Sequence, residues 1–110
     1  MPTSAPMATI DPRGPQKRGD VTITGSATDT GSDLDAVMVR IGRLEDESYW
    51  DGSGWVDNPN TWQPAKGTTT WSFPISLAEG MYEIVAYATD ISGNMQRWDD
   101  HRPKRRIAVL

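Results

Sequence analysis

The stretch VTITGSA, residues 21–27, alternates residue by residue. Val21, Ile23, Gly25 and Ala27 take one side, and Thr22, Thr24 and Ser26 take the other. Period-two alternation with β-branched residues specifies a strand with one face buried and one solvated. The same period returns downstream. In LDAVMVRIGRL (34–44), Val37, Val39 and Ile41 point one way while Met38 and Arg40 point the other. TWSFPI (70–75) aligns Trp71, Phe73 and Ile75, with Pro74 on the opposite face, where an edge or a strand end tolerates a residue that cannot donate to the ladder. MYEIVAYATD (81–90) turns Tyr82, Ile84, Ala86 and Ala88 inward and Glu83, Val85 and Tyr87 outward, and RRIAVL (105–110) sets Ile107 and Val109 against Ala108. LAEGMY (77–82) is too short for a helix and is broken by Gly80.

The proline-rich first twenty residues read as a linker over 1–7, a short edge strand at Ala8–Ile10, and a loop. With the aromatic stretch YWDGSGW (49–55) as a further hairpin, the chain holds about seven short strands at close intervals, which predicts an all-β, two-sheet antiparallel sandwich. A length of 110 residues fits one domain over 1–110. Five Trp, three Tyr and one Phe among ten Gly and eight Pro suit strands joined by turns.

Composition excludes several classes. No cysteine is present to form a disulfide, act as a nucleophile or ligate a metal. A net charge of −4 argues against nucleic acid as a partner. No apolar run approaches the ~20 residues of a membrane span, and MPTSAPMATIDP lacks the apolar segment of a signal peptide. The chain reads as one module of something larger. It does not read as an enzyme: the one histidine, His101, sits in the polar DDHRPK run, and no nucleophile elbow, zinc-ligand cluster or phosphate loop is present.

The segments ITGSATDTGSDLDAVMVRI, YWDGSGW and WSFPISLAEGMYEIVAYATDISGN together resemble bacterial immunoglobulin-like domains, the modules repeated in large secreted and surface proteins. The resemblance covers roughly residues 8–110. It implies an immunoglobulin-like sandwich and an extracellular or cell-surface location. It also implies a non-catalytic spacer or presentation role whose partners are neighbouring domains of the same polypeptide. The RWDDHRPKRR segment (97–106) departs from the pattern, being longer and more charged than the usual run into the last strand. Tyr82, two residues after Gly80, takes the place of a tyrosine corner, whose hydroxyl bonds backbone upstream. Tyr82, Gly80 and the inward Trp71 are therefore structural candidates.

Two ligand sites suggest themselves, each beside a structural alternative. In such a sandwich the loops after the second and sixth strands share one end, which would gather Asp29, Asp33, Asp35, Asp90 and Asn94 as oxygen ligands for calcium. Asp and Asn at strand ends also bond their own backbone in turns, so no cofactor is required. Tyr49, Trp50, Trp55 and Trp62 offer an aromatic platform for a polysaccharide, the mark of a carbohydrate-binding accessory module. Yet DGSG makes a four-residue hairpin loop that sets Trp50 opposite Trp55, with Tyr49 and Val56 on the other face. Cross-strand aromatic pairs stabilise a hairpin by about 0.2–1 kcal/mol without any ligand. Arg18-Gly19-Asp20 spells a minimal integrin-recognition tripeptide, a match short enough to arise by chance. The basic residues Arg97, Arg102, Lys104, Arg105 and Arg106 read as a solvated edge that discourages aggregation.

Overall fold

The computed structural model describes residues 6–11, 14–28, 34–91, 93 and 104–110. Each alternating segment is a strand, and no helix occurs among the described residues. In chain order the strands are β1 (Met7–Ile10), β2 (Gly19–Thr28), β3 (Leu34–Arg43), β4 (Ser48–Trp50), β5 (Trp55–Val56), β6 (Gln63–Pro64), β7 (Lys66–Gly67), β8 (Thr70–Leu77), β9 (Gly80–Asp90) and β10 (Lys104–Val109). They form two antiparallel sheets, one ordered β1-β2-β8-β7 and the other β10-β9-β3-β4-β5, with β6 also paired to β3.

The inward positions named from the sequence pattern meet in one core between these sheets. Val21, Ile23, Ala27, Trp71, Phe73 and Ile75 come from the first sheet, and Val37, Val39, Ile41, Tyr82, Ile84, Ala86, Ala88, Ile107 and Val109 from the second. Gly25 lies directly opposite Trp71 in the β2–β8 register. The Trp71 indole occupies the space above that glycine, and its Nε1 donates to the Ser26 carbonyl at 3.2 Å.

Three details depart from the alternation or refine it. Two further short pieces, β6 and β7, follow the β4–β5 hairpin, because the chain changes sheets there. β6 pairs with β3 in the second sheet, and β7, one residue further on, pairs with β8 in the first. Ala65 makes the step, its N–H donating to the Val37 carbonyl at 2.9 Å. Val85 does point away from the core, as its parity requires, but it is fully buried and not solvated. It sits between Arg40 and Lys104 on an outer sheet face that carries its own aromatic layer. Pro74 falls in the middle of β8 and not at its end. The Ala27 N–H donates to the Thr69 carbonyl, so the odd-numbered residues of β8 are the ones bonded to β2. The missing N–H of Pro74 therefore faces the sheet edge, beyond the two residues that β7 covers, and blocks pairing there.

Strand direction fixes where the chain enters and leaves. Met7 pairs with Thr28, at the end of the molecule where Leu34 pairs with Asp90. Val109 pairs with Gly80, at the opposite end, where Gly19 pairs with Leu77. Between β1 and β2 the chain leaves the first sheet and runs parallel to the last strand, with a bridge between Gln16 and Val109.

Candidate functional site

The hairpin has the predicted register, Tyr49 opposite Val56 and Trp50 opposite Trp55. Its loop is closed by one side chain. The Asp51 carboxylate accepts from the Ser53 and Gly54 N–H groups at 2.8 and 2.7 Å, and Asp51 N–H donates to the Gly54 carbonyl at 3.0 Å. Those two backbone donors hold the Asp51 carboxyl below the ordinary carboxylate range.

Trp50 and Trp55 are half-buried and pack against the core. Their ring centroids lie 5.5 Å apart, and Trp55 continues onto Tyr82 at 5.8 Å. The Arg43 guanidinium caps this row, 4.7 Å from the Trp55 centroid. It is itself clamped by Asp46, with Nε to Oδ1 at 3.0 Å and Nη2 to Oδ2 at 2.7 Å, and Ser48 Oγ donates to the same Oδ1 at 2.6 Å. These contacts, Arg43 first and Ser48 second, hold the Asp46 carboxyl well below its usual range. A carboxyl depressed in the fold contributes stability that is complete above its unfolded value of 3.8 and is lost as pH falls through the lower folded value. Asp46→Asn is accordingly expected to flatten the fall in melting temperature between about pH 5 and pH 2. A slope identical to that of the parent protein would show that the clamp does not couple to folding.

Tyr82 meets the expectation for a corner. Its hydroxyl donates to the Ala78 carbonyl, four residues upstream, at 2.9 Å, while the ring is 1 % exposed. Burial pushes the phenol up, partly offset by Arg43. Gly80 supplies the turn between them with φ of 153°, a value that L side chains rarely adopt. Tyr82→Phe keeps the ring and orphans the carbonyl. It is expected to cost about 1–3 kcal/mol in urea unfolding, and unchanged stability would remove the corner from the account.

The four aromatics proposed as one platform fall on two faces. Strand parity sends Trp50 and Trp55 inward, whereas Tyr49 and Trp62 lie on the outer face of the second sheet. There the Arg40 guanidinium lies over both, 5.1 Å from the Tyr49 centroid and 5.3 Å from that of Trp62, and it donates to the Pro59 carbonyl at 2.7 Å. Trp62 meets Tyr87 edge-on at 4.8 Å. Arg40 and Tyr87 complete this layer, and in the sequence only their shared outward parity on β3 and β9 marks them.

The Tyr49 ring packs over the buried Gly42, where an added Cβ would come within 3.2 Å of it. Beside this pair a cavity of about 210 Å³ is lined also by Arg40, Arg43, Leu44, Glu47, Glu83 and Arg106.

Of the calcium candidates, Asp29, Asp33 and Asn94 lie outside the described residues, as do His101, Arg97 and Arg102. Asp35 is exposed at an irregularity between Leu34 and Ala36, and Asp90 is buried with its carbonyl accepting from Gly93 N–H at 3.1 Å. Among the described residues no three His, Cys, Asp or Glu side chains gather as a metal group. Arg18 of the tripeptide is tied to Glu79 at 3.0 Å, and Asp20 is an exposed residue of β2. Arg105 Nε donates to the Ile10 carbonyl at 3.2 Å, and Arg106 reaches Glu83 at 3.6 Å, so part of the basic run ties neighbouring strands together. No helix among the described residues is long and apolar enough to cross a membrane.

No family model and no curated relative matches the chain. Among solved structures, the chain is similar in fold to an engineered protein, a Northeast Structural Genomics Consortium target solved by crystallography at 1.98 Å. The TM-score is 0.51 at 19% identity, over 96% of this chain and 20% of that one. The chain thus spans about a fifth of the length of that protein, and the likeness concerns the all-β fold alone.

Proposed function

We propose that the chain is an immunoglobulin-like spacer module of a larger bacterial extracellular or cell-surface protein. Without catalytic chemistry of its own, it holds neighbouring domains of the same polypeptide apart and presents them. The sheet orders support the immunoglobulin-like reading: β1-β2-β8-β7 runs as strands A-B-E-D do, and β10-β9-β3 as strands G-F-C do. The Tyr82 hydroxyl bond near the start of β9 adds to it.

The observation that carries the spacer role is the load path. The first strand begins at one end and the last strand finishes at the other, so linked modules would stand in line, each ten-residue strand spanning roughly 33 Å. Tension between those ends meets a parallel contact. Gln16 N–H donates to Ala108 O at 2.8 Å, Leu110 N–H to Gln16 O at 2.8 Å, and Arg18 N–H to Leu110 O at 3.1 Å. Two segments running the same way and pulled in opposite senses load these bonds together in shear.

The test is single-molecule pulling on a tandem polyprotein of this chain. The expected trace shows one cooperative unfolding peak per module, and Gln16→Pro, which removes the first of those donors, lowers the peak force. Unfolding without a resolvable peak, or the same force in the variant, would sink the reading.

A further inference from the structure

We propose that the cavity beside Gly42 is a binding site for one ring of a neutral sugar. This stands apart from the spacer role and moves the carbohydrate hypothesis from the tryptophan hairpin to the opposite sheet face. The hairpin indoles are half-buried and packed on the core and on Tyr82. The outer face offers something different: a concavity lined by the Tyr49 ring and by the Gly42 backbone on which that ring packs.

The lining selects the ligand by its hydrogen-bonding character. Arg40 and Arg106 donate only, and Glu47 and Glu83 accept only. A sugar hydroxyl does both, so vicinal hydroxyls can engage a guanidinium and a carboxylate together. An anion would meet Glu47 and Glu83, and a cation would meet two guanidiniums. The mixed lining therefore favours a ligand without net charge and with many hydroxyls. Arg40 is held by the Pro59 carbonyl at 2.7 Å and Arg106 stands 3.6 Å from Glu83, and these contacts orient the lining before any ligand arrives, which lowers the ordering cost of binding. The volume of about 210 Å³ is below the roughly 300–1,000 Å³ of sites for larger ligands, which limits the guest to a single ring.

The test is an amide-resolved NMR titration of the intact chain with the methyl glycosides of glucose, galactose and mannose. Glucuronate and glucosamine serve as charged comparisons. Saturable shifts at Gly42, Tyr49 and Glu83 with at least one neutral glycoside, stronger than with either charged sugar, are the expected result. Gly42→Ala, whose methyl would push aside the Tyr49 ring that lines the cavity, should weaken that binding at least tenfold. Arg106→Gln, a change at a largely exposed side chain, should weaken it several-fold and decides the matter if the first variant does not fold. Four outcomes overturn the site: no saturable shift from any neutral glycoside, shifts centred on Trp50 and Trp55, tighter binding of a charged sugar, or binding unchanged in the variants.

Discussion

Trp71→Ala is expected to lower the unfolding free energy by about 3–5 kcal/mol, the range for deleting a buried tryptophan. Against the roughly 5–15 kcal/mol that a domain commonly has in total, that leaves a fold near its limit at room temperature. The side chain is 1 % exposed and is the largest fully buried one in the core. Its neighbours on β8, Phe73 and Ile75, are held by their own register with β2 and cannot collapse into the space. The indole also donates to Ser26 O at 3.2 Å, a bond that alanine cannot replace. Trp71→Phe keeps most of the volume and loses only that donor and the second ring, so its cost should be less than half as large. Urea denaturation at constant m-value measures both. An alanine variant within about 1 kcal/mol of the parent would mean that the cavity refills, and with it that the two sheets are not rigid against each other.

Much of this architecture could be read directly from residue parity. Wherever one face was apolar and the other polar, as in Val21 to Ala27 or Val37 to Ile41, the side facing the core came out correctly. The hairpin register also followed from the four-residue loop, because its closure requires Trp50 and Trp55 to be opposite. Parity says which side of a sheet a residue takes, but not what lies on that side. Val85 points away from the core and is nevertheless buried, because Arg40, Trp62 and Tyr87 build a second layer there from residues scattered over three segments. The excursion through residues 63–67 was opaque for a different reason. Two two-residue strands on different sheets leave no period to detect, and the step at Ala65 is a backbone event. The aromatic platform failed as a single surface on the same ground. Proximity in sequence brought four rings together, and alternation at the hairpin then divided them.

Gly25→Ala is the second large effect, expected at about 3 kcal/mol, the upper part of the usual overpacking range. Glycine inside a strand ordinarily weakens it, and alanine in its place would be predicted to stabilise. Here the sign reverses. A Cβ at position 25 would fall on the Thr9 carbonyl oxygen of β1 and on the Trp71 indole of β8 at once. The first obstacle is backbone, held by the β1–β2 ladder through the pairing of Thr9 with Ser26 and Ile10 with Gly25. The second is the ring around which the core closes. Neither is the mobile end of a flexible side chain, so the strain is relieved only by parting β1 from β2 or by displacing the tryptophan. Ser26→Ala, one residue along on the exposed face, should stay within about 0.5–1 kcal/mol and serves as the control. In a double-mutant cycle Trp71→Phe should relieve part of the Gly25→Ala cost but not all of it, because the Thr9 carbonyl remains. Full relief would place the whole conflict in the indole, and no relief would place it in the edge strand. The VTITGSA pattern assigned Gly25 to the core side correctly, but only the cross-strand register with Trp71 explains why that position must be left empty.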